Sequence, residues 1–356
     1  MLKPIDLRFN YPILENQNAE FQELLKETLG NPLQLLSTDP TGGSYRDKEV
    51  GAKWLSQPGF PVNPDDVYLG GGGHHACIVA ILAAKLQNKT IAVEEFTYSN
   101  FKSAAALLNL KLVPCKVDEF GLIPASLSEI CLSNNIDALF TMATVSNPLG
   151  TVLPIERRRE IVSIARENNL IIIEDDAYGF LEDQLLPNFF HLAPERSFYV
   201  YSFSKPYAQG IKTSYLLAPE NYSQQVTDTL RLTSSNSSPL LSNVLNNLIE
   251  SGQMSRVIRE KQIGGAERQA SVKTLLNGYN FSGHKNGWHV WLKLPDQIKS
   301  SELNSRLEKE GVLIVPSVGF SADTPVYEGA IRIALGGESD FSRVAEGIEI
   351  IKKLIS

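Results

Sequence analysis

The sequence predicts an α/β protein, with a large domain on a mostly parallel sheet and a smaller α+β domain after it. Two observations predict this. Short apolar runs alternate with helix-length segments from Val67 to Tyr201, and several of the runs end in a polar cluster. That is the pattern of a parallel sheet whose site lies at the strand carboxyl ends. Beyond Leu217 the alternation stops. Helices dominate from about 221 to 277, and mixed strands and helices follow. The expected divisions are 1–35, an N-terminal arm and helix belonging to the small domain; 36–235, the large domain; and 236–356, the small domain.

In chain order, a helix is expected over Asn18 to Leu29, stopped by Gly30-Asn31-Pro32. The stretch Ser37 to Gly43 is turn-rich, and Arg46 to Leu55 reads as a helix. A short strand, Val67-Tyr68-Leu69, runs into Gly70-Gly71-Gly72-Gly73-His74-His75 and then an apolar helix, Ala76 to Leu86. Strand, glycine turn and helix start form a setting in which backbone amides receive a phosphate. Strands are expected at 90–93, 112–114, 138–142, 170–173 and 197–201, with helices at 101–109 and 155–167. A Ser/Asn-rich break at 233–238 interrupts the later helices. The last third gives strands at 288–294, 312–315 and 330–335, with helices at 301–310 and 340–355.

The 356 residues carry a net charge of −7, which argues against electrostatically driven binding to nucleic acid or anionic membranes. No apolar run is long enough to span a membrane, and the N-terminus lacks a signal-peptide pattern. Cys77, Cys115 and Cys131 are odd in number and lack metal-ligand spacing, so they read as buried free thiols and no metal site is expected. A cytoplasmic protein is the expectation.

The sharpest signal is Lys205. It follows the aromatic strand Ser197 to Tyr201 and is flanked by the hydroxyls of Ser202 and Ser204. A crowded lysine loses proton affinity and becomes a nucleophilic amine, as Schiff-base chemistry requires. The other strand ends bear Tyr98, the turn Asn147-Pro148-Leu149-Gly150 and the acidic run Glu174-Asp175-Asp176 before Ala177 and Tyr178. Strand alternation sets Asp175 on one face and Glu174 and Asp176 on the other.

Taken together, these motifs resemble the fold-type I pyridoxal 5'-phosphate (PLP) enzymes of the class I/II aminotransferase family. The likeness runs from about Ser37 to the C-terminus and is strongest to the aminotransferase-like half of MocR-type proteins and their stand-alone relatives. It implies a seven-stranded, mostly parallel sheet in the large domain, and a homodimer with sites at the subunit boundary. Lys205 matches the Schiff-base lysine, Asp175 the partner of the pyridine nitrogen, and Tyr178 and Asn147 the ligands of the ring's phenolic oxygen. Tyr98 matches the stacking aromatic. Gly73, His74, Ser202 and Ser204 match phosphate positions, and Lys212 stands where the family usually has arginine. Arg332 matches the clamp on the substrate α-carboxylate. The family's cross-subunit tyrosine has no equivalent near Ser37, which turns attention to Tyr45 and Tyr207. Substrate-specific contacts are expected in the arm, Arg8-Phe9-Asn10-Tyr11-Pro12.

The implied activity is a PLP-dependent transaminase acting on an amino acid and a keto acid. A lyase, cyclase or oxidase acting on an amino acid such as an arginine-like one is the alternative. A third reading is a PLP-binding sensor of the MocR type. It fits less well with an acidic chain whose PLP region begins close to Met1, where such regulators carry a DNA-binding domain ahead of it.

Overall fold

The structure, a computed structural model, describes residues 3–30, 35–36, 38–235, 237–322 and 325–356. Three expected features fall partly outside these residues: the helix stop at Asn31-Pro32, the turn position Ser37, and Asn236 in the Ser/Asn-rich break.

The large sheet contains β1 (Val67–Gly70), β2 (Thr90–Glu94), β3 (Lys111–Cys115), β4 (Ala138–Thr141), β5 (Ile171–Asp175), β6 (Ser197–Ser202) and β7 (Ser214–Leu217). Its order is β1-β7-β6-β5-β4-β2-β3. β7 runs antiparallel to both neighbours, and the remaining pairings are parallel. The seven-stranded, mostly parallel α/β fold is therefore as expected, though β7 itself carries no signal that separates it from the loop before it.

Helices α1 (Gln17–Thr28), α2 (Tyr45–Leu55), α3 (Gly73–Ala83), α4 (Ser99–Leu107), α5 (Pro124–Ser133) and α6 (Ile155–Glu167) accompany the first five strands. The inner strands are apolar on both sides because both faces are covered, whereas the edge strand β3 is only partly buried. Ala138, Phe140, Ile173 and Val200 enter one core with Val79 and Ile81 of α3. Leu139 and Ile172 enter another with Ile161 of α6, and Tyr199 and Tyr201 a third.

Helix α3 begins three residues before the expected Ala76. Gly72 has φ +99, a conformation open to glycine, and this lets the chain turn directly from β1 into the helix. A Cβ on Gly73 would lie 2.9 Å from Ser202 Cβ, so the helix start approaches β6 as closely as it does because residue 73 is glycine.

Helices α7 (Ser223–Ser234), α8 (Pro239–Glu250) and α9 (Gln253–Leu275) follow. The packing crosses the expected division at 235. Val244, Leu245, Leu248, Met254 and Val257 share a core with Tyr201 and Phe203 of the large sheet, and Leu24 of α1 joins them. The long helix α9 then runs from this core to the next, where Val272 and Leu276 are buried.

The second core lies between α10 (Ser300–Lys309), α11 (Phe341–Ile355) and an antiparallel sheet of β8 (Phe281–Ser282), β9 (His289–Lys293), β10 (Val315–Pro316) and β11 (Ala330–Ala334), in the order β8-β9-β11-β10. The single strand expected at 312–315 is two. Val312–Leu313 pairs in parallel with Ile5–Asp6 of the arm, and β10 pairs with β11. Contacts near the site join the bodies. Phe96 bridges Ser321, and Lys102 Nζ donates to the carbonyls of Val318 at 3.3 Å and Ser321 at 2.5 Å.

Candidate active site

The carboxyl ends of β2, β4, β5 and β6 open onto a cavity of about 260 Å³. Gly73, His74, Tyr98, Asn147 and Asp175 line it, as do Tyr178, Ser202, Ser204, Lys205 and Lys212. The expected cofactor positions, scattered over some 140 residues of sequence, thus converge because parallel strands deliver their ends to one edge.

Lys205 follows β6 in a turn and its amine points inward. Burial is the first cause that drives its proton affinity well below the ordinary lysine value; the Arg332 charge adds to it and Asp175 opposes it. This favours the neutral amine, the form that can act as a nucleophile.

Asp175 ends β5. Its Oδ1 is buried without a hydrogen-bond partner, and burial followed by the neighbouring Asp176 charge raises its pKa to about 7. Glu174 and Asp176 turn away, as alternation requires. Glu174 accepts from the Phe189 amide at 2.7 Å and lies 3.7 Å from Arg158, while Asp176 accepts from the Tyr199 hydroxyl.

Arg332, on β11, reaches in from the small sheet. Its Nη1 donates to Asn147 Oδ1 at 2.9 Å, its Nη2 donates to the Arg8 carbonyl, and its Nε is buried without a partner. Tyr98 stands with its ring centroid 5.5 Å from that of His74, and its hydroxyl accepts from Asn100 at 3.0 Å.

The phosphate-type end is the start of α3. Its first-turn amides have no intrahelical acceptor, and the dipole there favours an anion. Ser202, Ser204 and the exposed Lys212 complete a donor set suited to a phosphate monoester. His75 steadies this turn. Its Nδ1 accepts from the Gly71 amide at 3.0 Å, which leaves Nε2 to donate to Thr233 Oγ1 at 2.7 Å.

These residues fit PLP on three counts. The amine of Lys205 suits its aldehyde, the unpaired Oδ1 of Asp175 suits its ring nitrogen, and the glycine-lined helix start suits its phosphate.

Three residues at or beside the cavity are not singled out individually by the sequence. Tyr11 of the arm lies over the amine, with Lys205 Nζ 3.4 Å from its ring centroid. Asn10, 2 % exposed, has its side chain beside the Tyr178 hydroxyl. His289 packs on Tyr178 at 5.5 Å, and burial holds it neutral, with a pKa near 3. The arm was the expected place for such contacts, but which residue points inward depends on pairings more than 190 residues apart. Of the two tyrosines considered for the missing cross-subunit role, Tyr207 is buried against Phe21 at 6.0 Å, and Tyr45 is 72 % exposed.

The profile of the family described as "Aminotransferase class I and II" matches residues 3–348. The chain belongs to this family of PLP-dependent transaminases. It is 23 % identical to the 2-aminoadipate transaminase of Thermus thermophilus, over 88 % of this chain and 80 % of that one. It is 26 % identical to the HTH-type transcriptional regulator YdeF of Bacillus subtilis, over 88 % of this chain and 68 % of that one, so the likeness to MocR-type proteins is also present. Among solved structures, an archaeal alanine:glyoxylate aminotransferase superposes with TM-score 0.89 at 22 % identity, covering 99 % of this chain and 91 % of that one. The kynurenine aminotransferase of Pyrococcus horikoshii superposes with TM-score 0.89 at 22 % identity, covering 100 % and 92 %.

Proposed function

We propose that this chain transfers the amino group of an α-amino acid to a keto acid in the cavity between Lys205, Asp175 and Arg332, with Lys205 as the residue that holds the cofactor. The observation that supports this most is the meeting, at one set of strand ends, of a buried amine, a buried carboxylate whose Oδ1 lacks a partner, and a buried guanidinium with an unpaired Nε that reaches in through Asn147.

PLP, when bound, supplies an aldehyde to which amines add and a protonated ring that draws electron density from the substrate's Cα. Lys205 would hold it and, once displaced by the incoming amino group, would move the Cα proton as a base with low proton affinity. Asp175 would keep the ring nitrogen protonated by accepting from it, and in doing so would gain the partner its Oδ1 lacks. Tyr98 would stack on the ring, and Asn147 and Tyr178 would hold its oxygen. Gly73, His74, Ser202, Ser204 and Lys212 would hold the phosphate. Lysine serves there as a point charge, without the two-pronged contact of an arginine.

Arg332 would clamp the substrate α-carboxylate. Its contact with Asn147 fixes the plane of the guanidinium and so the orientation of the substrate about Cα. A homodimer and a cytoplasmic location belong to the same reading. The family resemblance supports the first. The unpaired thiols of Cys77, Cys115 and Cys131 support the second.

The test is to load the purified protein with PLP and follow the cofactor's absorption against a panel of amino acids. The panel begins with 2-aminoadipate, kynurenine and the aromatic amino acids for which relatives are named. Transamination requires that keto acid form and that amine pass stoichiometrically to an acceptor. Product formed with no acceptor would assign lyase, cyclase or oxidase chemistry instead. If Lys205→Ala retained the absorption of covalently held cofactor, the assignment of Lys205 would be wrong.

A further inference from the structure

Behind the turn that carries Lys205 lies a second lysine that no part of the transamination scheme uses. Lys261, midway along α9, is 1 % exposed. Its Nζ donates to the Tyr207 carbonyl at 2.6 Å and to the Lys205 carbonyl at 3.1 Å. Gln17 Nε2, from α1, donates to the same Tyr207 carbonyl at 2.9 Å. The Lys261 carbonyl in turn accepts from Trp288 Nε1 at 3.0 Å. Among the described residues no carboxylate forms an ion pair with Lys261.

A buried ammonium held by neutral carbonyls, with no counter-ion, is a poor source of stability. An apolar side chain of similar length would fill the space without the cost of removing a charge from water. The turn, on the other hand, has a positional need. It must present the Lys205 amine at one point, and its two carbonyls face away from the cavity toward α9.

We infer that Lys261 is a positioning residue for Lys205: it fixes the main chain of the Lys205–Tyr207 turn by two carbonyls and sets a positive charge behind the amine. The charged and titratable groups that face Lys205 are Asp175 from β5, Tyr178 after it, Tyr11 from the arm, His289 from β9, Arg332 from β11 and Lys261 from α9. Burial, Arg332 and Lys261 all favour the neutral amine, and Asp175 alone of the named charges opposes them. Burial brings Lys261 itself down to about 7, so it carries its charge below neutral pH, holds about half of it near pH 7 and loses it above. The device thus links α9, which spans both cores, to the state of the reactive nitrogen.

The inference rests on Lys205 being the cofactor lysine, and its test reads the bound cofactor's absorption as a function of pH. In Lys261→Met and Lys261→Gln the pH midpoint of that absorption rises by about half a unit or more, because a neighbouring positive charge is gone. Lys261→Gln keeps a donor for the turn, so it carries the same prediction should the methionine variant fold poorly. Lys261→Arg keeps the charge and stays close to the wild-type midpoint. Gln17→Leu removes a neutral donor from the same carbonyl and leaves the midpoint in place. Unchanged midpoints in Lys261→Met and Lys261→Gln, or an equal rise in Gln17→Leu, would overturn the inference. A wild-type protein whose bound cofactor survives Lys205→Ala would overturn the reading of Lys205 instead, and the two failures are separate.

Discussion

The amine of Lys205 lies 3.4 Å from the ring centroid of Tyr11, although the two residues are 194 positions apart. The reactive nitrogen therefore has a roof made from the N-terminal arm. A ring face over a cation contributes on the order of 0.5–2 kcal/mol, and Tyr11 offers that contact whenever the Lys205 nitrogen carries a proton. Removing the ring in Tyr11→Ala should lower kcat/KM by roughly three- to thirtyfold, with most of the loss in KM. Tyr11→Phe, which keeps the face of the ring, should stay within about twofold of wild type. Steady-state kinetics on the two variants decides this, and equal losses in both would place the contribution in the hydroxyl.

The Arg332–Asn147 contact makes a second prediction. Truncating a buried, hydrogen-bonded cation costs about 2–5 kcal/mol when its partner is a charge, so Arg332→Ala should lower kcat/KM by roughly two to three orders of magnitude. Arg332→Lys keeps the charge and loses the fork, and it should recover only a small part of the loss. Asn147→Ala should raise KM through the same guanidinium, since its Oδ1 is what Nη1 is bound to. Substrate titrations of the cofactor's absorption separate these effects from any change in the chemical step.

The close approach of α3 to β6 makes a third. A methyl group at residue 73 would meet Ser202 Cβ at 2.9 Å, and neither backbone is free to yield. Gly73→Ala should cost about 1–3 kcal/mol of stability and displace the helix start from the phosphate position. Thermal unfolding with and without PLP tests it: the cofactor-induced rise in Tm should shrink more than the Tm of the free protein falls.

Glu94 gives a pH prediction. It ends β2 and accepts from Thr141 Oγ1 at 2.6 Å and the Met142 amide at 3.2 Å, and burial raises its pKa to about 7. In the unfolded chain it loses its proton near 4.5. Between these values the folded state binds the extra proton, so the contribution of Glu94 to stability is full below about 4.5 and declines as pH rises to 7. Glu94→Gln keeps the acceptor without the titration. The variant should match wild type at the acid end of this window and exceed it by roughly 2–3 kcal/mol at pH 7.5. Denaturant unfolding of both proteins at the two ends checks this, because other titrating groups cancel in the difference. A constant difference would mean that Glu94 is ionised throughout.

Strand ends were the legible part of this site. Asp175 could be chosen from three adjacent acids by its match to the family's motif, with the alternation of β5 separating it from Glu174 and Asp176, and Lys205 stood out because an aromatic strand led into it. The direction of β7 was not legible: Ser-Tyr-Leu-Leu is apolar whichever way it runs, and its antiparallel pairing with β1 and β6 is a property of the sheet. The strand at 312–315 looked single because Val312 to Val315 is apolar throughout; the switch of partner within it depends on the arm, hundreds of residues earlier in the chain. The individual places of Tyr11 and Asn10 within the expected arm, and Lys261 altogether, escaped for the same reason. A tyrosine in an arm and a lysine in a long helix look ordinary until distant segments surround them.

The arm also works as a tether with three attachment points. Ile5–Asp6 is hydrogen-bonded to Val312–Leu313 beside the small sheet, the Arg8 carbonyl is tied to Arg332, and α1 is fastened to α8 on the large body. Tyr11 lies on the span between the last two. A span with both ends anchored cannot follow one body without being drawn along by the other. A rotation of the small sheet against the large body would therefore load the span that carries Tyr11. Lengthening the span between Tyr11 and Gln17 by a few residues would relieve that load without touching a single residue of the cavity wall.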